Sequence, residues 1–346
     1  MGPNKQVTVA VVGVTGAVGK EILRNLEERS FPIKELRCLA SARSAGKTVR
    51  FRGKDYQVQE ATPDSFAGVD LAFFSAGGKV SEQLAHEAVK RGAVVIDNTN
   101  AFRMDPTVPL IVPEVNGDKI KEHQGIIANP NCSTIQMVVA LKPLYEHYGI
   151  KRIIVSTYQA VSGSGQQAIE ELERQTKASI QGEDVPCELM PVGKLPKKYP
   201  ISFNVLPQCD VGLANGYTLE EMKMVQETKK IFDDEGIAVT ATCIRVPVFR
   251  GHSESIYVEL ARDFELDDVR EHLQNAAGVV LQDHLEEQIY PTPLEVAGKH
   301  EVFVGRLRRD LSHPRGLNMW VVADNLLKGA ATNAVQIAEG LINSRD

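Results

Sequence analysis

Cys132 is the residue of this 346-residue chain best set up to react: it closes the run Asn129-Pro130-Asn131-Cys132 and opens an apolar, helix-patterned stretch from Ser133 to His147. Proline flanked by two asparagines fits a sharp turn, so the thiol is expected at a helix N-terminus. Free backbone amides and the helix dipole stabilise a thiolate there. Asn131 is grouped with Cys132 as a candidate catalytic residue. Cys38 and Cys243 fall on expected strands and read as small core residues. The matching proton-handling group is His252, in the polar run Arg250-Gly251-His252-Ser253-Glu254 between two expected strands. His86, His123, His147, His272, His284, His300 and His313 sit in helical or charged stretches and read as solvated.

A dinucleotide turn stands at the other end of the chain. Gly13-Val14-Thr15-Gly16-Ala17-Val18-Gly19 follows an apolar strand, Val7–Val12, and opens a helix over 17–29. Gly13 and Gly16 permit a tight turn with amides close to a pyrophosphate, and Gly19 permits close helix–strand packing. The helix N-terminus then faces the anion. After the second strand comes Ser41-Ala42-Arg43-Ser44-Ala45-Gly46-Lys47, without the acidic residue that would hold the ribose hydroxyl of NAD. Arg43 with Ser44 fits the 2′-phosphate of NADP instead. Ser75-Ala76-Gly77-Gly78, at the end of a later strand, adds Ser75 and Gly77 as backbone contacts near the cofactor. A thiolate beside a nicotinamide implies one class of reaction. It adds to an aldehyde, the adduct passes hydride to the cofactor, and the resulting thioester goes to water or phosphate.

The elements that must hold these groups have two textures. Up to Cys132, short apolar strands (36–40, 71–74 and 94–96 after the first) alternate with helices such as 80–91. This is the pattern of βαβ units and a Rossmann-like, doubly wound parallel sheet whose strand ends carry ligands. From 151 onward, β-branched strands at 153–158, 239–246, 255–260, 303–307 and 317–322 dominate. Helices at 166–178, 218–234 and 269–277 are interspersed, predicting an α+β substrate and dimerisation domain with helices on one face of its sheet. The expected division is therefore an NADP-binding domain over 1–132, a catalytic domain over 133–324, and a closing helix in 325–346 that packs back on the first. The stretch Gly182–Pro207 reads as a long loop of no legible chemistry.

Composition limits the partners. With 45 Asp and Glu against 39 Lys and Arg, the net charge of −6 opposes the basic face that broad nucleic-acid binding needs, yet a few local arginines suffice for a small phosphorylated ligand. Five scattered cysteines without CxxC spacing imply neither a disulfide framework nor a metal site, and fit a reducing, cytoplasmic setting. No window reaches the roughly 18 apolar residues of a membrane span. The start, Met-Gly-Pro-Asn-Lys-Gln, runs into a strand without a signal-peptide apolar core.

Taken together, Gly-x-Thr-Gly-x-Val-Gly from 13, Asn-Pro-Asn-Cys-Ser-Thr from 129, Tyr-Gln-Ala-Val-Ser-Gly-Ser-Gly from 158 and Arg-Val-Pro-Val-x-x-Gly-His-Ser-Glu from 245 resemble the aspartate-semialdehyde dehydrogenase family, in its Gram-positive bacterial type, across essentially the whole chain. The resemblance implies NADPH-dependent reduction of aspartyl phosphate to aspartate semialdehyde and phosphate, in the biosynthesis of lysine, diaminopimelate, threonine, methionine and isoleucine. It implies Cys132 as the thioester nucleophile, His252 as acid/base, and Gln159 as the residue orienting the thiol or its acyl adduct. By the same resemblance, Arg245 binds the substrate carboxylate, Glu220 its ammonium, and Arg103 and Lys223 the phosphate. Helical spacing supports the last pairing, since 220 and 223 share a face while Glu221 points elsewhere. Thr15, Gly16, Ala17, Val18, Arg43, Ser44, Ser162, Gly163 and Asn325 are implied NADP contacts, and a homodimer or larger homo-oligomer is implied as the assembly. N-acetyl-glutamyl-phosphate reductase is the rival enzyme, but its blocked amine leaves Glu220 unexplained. Glyceraldehyde-3-phosphate dehydrogenase is weaker still. A silent NADP-binding protein is opposed by the joint presence of Cys132 and His252.

Overall fold

Six consecutive residues, Val7–Val12, form strand β1 with every side chain buried, as expected of a strand covered on both faces. Beside it lie β2 (Ile33–Ala40), the hairpin β3 (Thr48–Phe51) and β4 (Lys54–Gln57), then β5 (Gln59–Glu60), β6 (Leu71–Phe74), β7 (Val94–Asp97) and β8 (Ile126–Ala128). All but the hairpin join one parallel sheet in the order β5-β2-β1-β6-β7-β8. The order reverses at β1, so the crevice beyond its C-terminal end is the ligand position of this Rossmann-like fold. Helix α1 (Ala17–Glu28) follows β1, and α2 (Gly78–Lys90) joins β6 to β7. A single helical turn, α3 (Pro113–Asn116), precedes β8.

The computed structural model describes residues 6–343. The expectations made for 1–5 and 344–346 lie outside these. The chain divides into one unit that runs to Asn131 and takes up the chain again from Ala330, and another from Cys132 to Gly329. In the first unit, the closing helix Thr332–Asn343 buries Ala334, Val335, Ile337, Ala338 and Leu341 in the core formed by Val9, Ile22, Leu26, Phe73 and Ile127. Arg29 clamps its Glu339 through two hydrogen bonds of 2.8 and 2.7 Å.

That helix starts later than the apolar pattern from Asn325 predicts. Residues Leu327–Ala331 instead form a π-helical segment. The physical reason lies just upstream. Buried Asp324 accepts from the amides of Leu326 and Leu327 (2.9 and 3.2 Å) through one oxygen, and from Arg250 Nε and the Gly298 amide (2.5 and 2.6 Å) through the other. A backbone held in this way cannot wind regularly from Asn325, and the wider π turn takes up the difference.

The second unit carries a mixed sheet of β9 (Ile150–Gln159), β10 (Ala238–Arg245), β11 (His252–Leu260), β12 (Val279–Leu281), β13 (Val302–Arg309) and β14 (Gly316–Ala323), in the order β10-β9-β11-β14-β13-β12. Helices α4 (Cys132–Tyr148), α6 (Leu219–Phe232) and α7 (Leu266–Gln274) pack against it. The short α8 (Pro293–Val296) packs on β14. The stretch after α5 (Gln166–Gln181) has no regular element but is not loose. Buried Glu171 accepts from the amides of Glu188 and Leu189, and buried Gln175 from those of Ile201 and Ser202. Met190, Ile201 and Leu206 then close on Val161, Ala168 and Leu172.

Candidate active site

Cys132 is the first residue of α4 and is partly exposed, whereas Asn131 before it and Ser133 after it are buried. Its thiol therefore sits beside helix amides that have no partner within the helix. Gly329 packs directly against it. A Cβ at 329 would lie 2.9 Å from the Cβ of Cys132, so glycine is needed there if the thiol is to keep its position. The other four thiols are poor nucleophiles. Burial pushes Cys38 up to about 11 and Cys209 to about 12, and raises Cys187 and Cys243 as well.

Three strands supply the remainder. Arg245 ends β10 opposite Gln159, the last residue of β9, while His252 begins β11 on the other side of β9. The expected turn around His252 is in fact the first position of a strand, and its imidazole is fully buried. The amide of Ala160 donates to Nδ1 of His252 at 3.0 Å. With Nδ1 occupied as an acceptor, the neutral ring carries its proton on Nε2. Burial foremost, with the Arg245 charge added, pulls this imidazole down to about 3 against the opposing pull of Glu220, so at neutral pH it is uncharged. Arg245 donates to the Ala160 carbonyl at 2.7 Å. Three buried polar atoms here, His252 Nε2, Arg245 Nε and Gln159 Oε1, have no hydrogen-bond partner, an arrangement that native structures seldom leave unless a ligand uses it. A Cβ at Gly163 would come within 3.1 Å of Arg245 and 3.2 Å of His252 Nε2, so this glycine keeps the space before both groups open.

Gln159 donates through Nε2 to Ser133 Oγ at 2.7 Å and to Glu220 Oε1 at 3.0 Å, linking the start of α4 to α6. Glu220 and Lys223 share a helix face and bond at 2.9 Å. Glu221 points away, closing a capping box with Thr218 and accepting from the Cys243 amide at 2.9 Å. Lys223 has a second partner that no sequence pattern singles out, Asp210 at 3.0 Å. Although burial opposes it, the two carboxylates raise the Lys223 ammonium, which is charged at any working pH. Ser133, Ala160 and Asp210 are the functional neighbours that the sequence reading missed. Only Ser133, next to the thiol, carried a local signal.

The cofactor turn belongs to the first unit. A Cβ at Gly19 would meet the Gly13 carbonyl oxygen at 2.2 Å, and one at Gly13 would meet the Ser75 carbonyl carbon at 2.8 Å, with φ of +87° at Gly13. Such close backbone approach, at a helix start whose N-cap Gly16 has no side-chain cap, is a cradle shaped for a pyrophosphate. Thr15, Ala17 and Val18 line the same turn. Ser41 and Arg43 are exposed at the end of β2 and Ser44 is buried in the 3-10 turn between them and Ala45. No acidic side chain stands in this turn, and the residues fit NADP. Ser75 donates to the Val12 carbonyl, and Gly77 caps α2 with φ of +95°. Arg103 is buried, its guanidinium on the carbonyls of Asn129 and Asn98, both at 3.0 Å. In the second unit, Asn325 is engaged within the protein. Its carboxamide bonds Ser162 Oγ (3.0 Å) and accepts from the Gly251 amide (2.9 Å), tying two loops together beside His252. Among the described residues there is no His, Cys, Asp and Glu group fit to hold a metal, and no helix long and apolar enough to cross a membrane.

Comparison with known proteins agrees over the whole length. Residues 8–123 match the family model described as semialdehyde dehydrogenase, NAD binding domain, and 141–328 the model described as semialdehyde dehydrogenase, dimerisation domain. The chain is 57% identical to aspartate-semialdehyde dehydrogenase of Bacillus subtilis over 96% of both chains. It is similar to the crystal structure of aspartate semialdehyde dehydrogenase II of Vibrio cholerae complexed with ASA, with a TM-score of 0.93 and 49% identity, covering 98% of this chain and 99% of that one. A Candida albicans aspartate semialdehyde dehydrogenase solved with NADP has a TM-score of 0.73 and 26% identity, with 97% and 98% covered.

The difference between the thiols is directly measurable. Brief treatment of the native protein with iodoacetamide at neutral pH is expected to label Cys132 alone, by mass spectrometry of peptides, and to abolish activity while leaving NADP binding intact. Cys38, Cys209 and Cys243 should react only after unfolding. Labelling of any of these first, or full activity after labelling of Cys132, contradicts the assignment of the nucleophile.

Proposed function

The chain belongs to the aspartate-semialdehyde dehydrogenase family, and on that premise we propose the roles its residues play in the NADPH-dependent reduction of L-aspartyl-4-phosphate to L-aspartate-4-semialdehyde and phosphate. Cys132 attacks the acyl phosphate as a thiolate. The C–S bond forms as the C–O bond to phosphorus breaks, and phosphate leaves with the electron pair. NADPH, when bound, supplies the hydride that brings the resulting thioester to the aldehyde level. The carbonyl then re-forms as the C–S bond breaks and the thiolate departs to the helix N-terminus that stabilises it.

The observation that carries this reading is the 3.0 Å hydrogen bond from the Ala160 amide to His252 Nδ1. Neither arrival nor departure of the thiolate itself consumes a proton; the one proton taken up in this direction ends on the released phosphate, supplied by water. What each requires is a donor toward the oxygen on which charge develops, and His252 Nε2–H is such a donor. This narrows the acid/base role expected from sequence to stabilisation of an oxyanion by a neutral imidazole. Gln159, held by Ser133 and Glu220, orients the acyl group. Arg245 receives the α-carboxylate as a planar partner, and Glu220 the α-ammonium. Arg103 and Lys223 hold the phosphate, with Asp210 keeping the lysine in position. Asn131 supports the turn that presents the thiol. Gly13, Thr15, Gly16, Ala17, Val18, Ser75 and Gly77 bind the dinucleotide phosphates, and Ser41, Arg43 and Ser44 the 2′-phosphate. Ser162, Gly163 and Asn325 border the nicotinamide. The second unit mediates a homodimer, a reading supported by the description of the family model it matches. A reducing, cytoplasmic setting is supported by the five cysteines, none of them in a disulfide.

Replacing His252 by Ala is expected to lower kcat by roughly 10²–10³-fold, the usual loss of one oxyanion donor. Because burial holds the imidazole neutral above about 3, its donor form is present at every higher pH. The pH dependence of kcat/KM in wild type and variant should therefore share one shape between about pH 5 and 8, where an ordinary histidine titrates. A rise in the wild-type profile near an ordinary histidine value, lost in the variant, would show that the imidazole cycles its charge.

Arg43→Ala should weaken NADPH by about 1.5–3 kcal/mol, the worth of a charge-assisted hydrogen bond, and leave NADH nearly unchanged. Equal losses in titrations of the two cofactors would give Arg43 a structural role only.

Glu220→Gln should lower kcat/KM for aspartate semialdehyde without harming turnover of its N-acetylated analogue, whose amide needs no counter-ion. Arg245→Leu should impair both compounds. A wild type that prefers the acetylated compound would assign the chain to the reductase chemistry of N-blocked substrates.

A further inference from the structure

The mechanism leaves one buried ionisable group unused. Glu254 lies two residues beyond His252 on β11, on the same face of the strand, with no exposed surface. In register it pairs with Thr157 of β9 and Val321 of β14, and Thr157 pairs in turn with Cys243 of β10. Cys243, Thr157, Glu254 and Val321 thus form a fully buried row directly below the row of Arg245, Gln159 and His252. Neither carboxyl oxygen of Glu254 has a hydrogen-bond partner of good geometry, and Thr157 Oγ1 and Gln136 Oε1 lack one too. Gln136, on the second turn of α4, is the polar side chain that interacts with Glu254, and its Nε2 donates to the His252 carbonyl at 3.3 Å. No cation acts on the carboxyl, and burial drives it well above the usual carboxylate range.

A carboxylate that no cation reaches, and on which burial outweighs the pull of the Gln136 side chain, does not stay ionised in such a place. It takes up a proton, and the acid then holds one O–H to give and one oxygen to receive. Two groups border it: Gln136, whose Oε1 has no partner, to accept, and the Thr157 hydroxyl, which also acts on the Cys243 thiol, to donate. A fully paired buried network is rigid, whereas one with a missing member is costly.

We propose that Glu254 is a positioning residue, which through Gln136 and Thr157 locks the helix that begins at Cys132 onto the strand that begins at His252. The Gln136 link joins the two elements directly: its backbone belongs to the helix of the thiol and its amide donates to the carbonyl of the donor imidazole's own residue. The acid serves as an uncharged hydrogen-bonding strut and takes no part in proton transfer. The other titratable or charged groups acting on this layer include Cys243 in the same row and Cys209 close to it, Arg245 and His252 in the row above, Cys132 at the start of α4, and Glu220 and Glu221 from α6. The inference rests on the roles proposed above for Cys132 and His252.

Two substitutions test it. Glu254→Gln preserves size and offers both a donor and an acceptor, so kcat should stay within about threefold of wild type with an unchanged pH profile. Glu254→Leu preserves bulk but removes both hydrogen bonds. Its kcat should fall at least tenfold with little change in KM, and iodoacetamide labelling of Cys132 should shift in rate or in pH dependence. If Gln is as damaging as Leu, the carboxylate charge or its proton is used and the strut is wrong. If Leu matches wild type in both kcat and labelling, Glu254 positions nothing. Should the Leu variant fail to fold, the Gln variant decides alone, by recovery of activity or its failure. Labelling of Cys132 does not involve the substrate, so the strut and the substrate assignment fail separately.

Discussion

The amide of Ala160 holds Nδ1 of His252, and the behaviour of the second unit's row of Arg245, Gln159 and His252 depends on that contact. An imidazole so held already carries its proton on Nε2, and its one lone pair, at Nδ1, is engaged by the Ala160 amide. It therefore presents Nε2 as a donor. Burial reinforces the arrangement, since a charged ring in this position would be poorly solvated and would also face the Arg245 guanidinium. Ala160 also provides the carbonyl to which Arg245 donates, so one peptide segment at the end of β9 orients both the imidazole and the guanidinium.

The architecture around this row keeps it dry and fixed. Three strand ends bring Arg245, Gln159 and His252 side by side, and α4 and α6 supply Ser133 and Glu220 as the two anchors of Gln159. Glycines stand where side chains would intrude, at 163 before the imidazole and at 329 against the thiol. Charge is allotted with similar economy. Glu220 and Asp210 together outweigh Lys223 by one negative charge, in line with the ammonium-binding role proposed for Glu220. Glu220 and Lys223 are largely withdrawn from water, where such a pairing is least screened, while Asp210 stays partly exposed.

The first unit follows different rules. Its sheet is parallel and covered, its glycines allow backbone to approach backbone at Gly13 and Gly19, and the closing helix completes its apolar core. The π-helical segment before that helix departs from the ideal where Asp324 gathers two amides on one oxygen and an arginine and a third amide on the other. Regular winding gives way there to hydrogen bonding at a buried carboxylate, which is the stronger demand.

Much of this was legible in the residue order alone. A thiol after Asn-Pro-Asn and before an apolar helix announces its own position, because turn chemistry and helix periodicity are local properties. The same holds for the glycine turn, the absence of an acid after β2, and the i, i+3 pairing of Glu220 with Lys223. The short strands β3, β4, β5, β8 and β12 were not legible: β8 and β12 have three residues each, and β3, β4 and β5 lack the continuous apolar run that marks β6 and β7. Nor was the true place of His252, which polar neighbours made look like a turn and pairing with β14 makes a strand. What only the tertiary structure decided is which atoms meet across long sequence separations: Ala160 with His252, Asp210 with Lys223, Gln136 with His252 and Glu254. Residue types determine what each group is able to do. Whether an imidazole gives or takes a proton, and whether a glutamate is charged, depends on burial and on partners many residues away, and these exist only once the chain has folded.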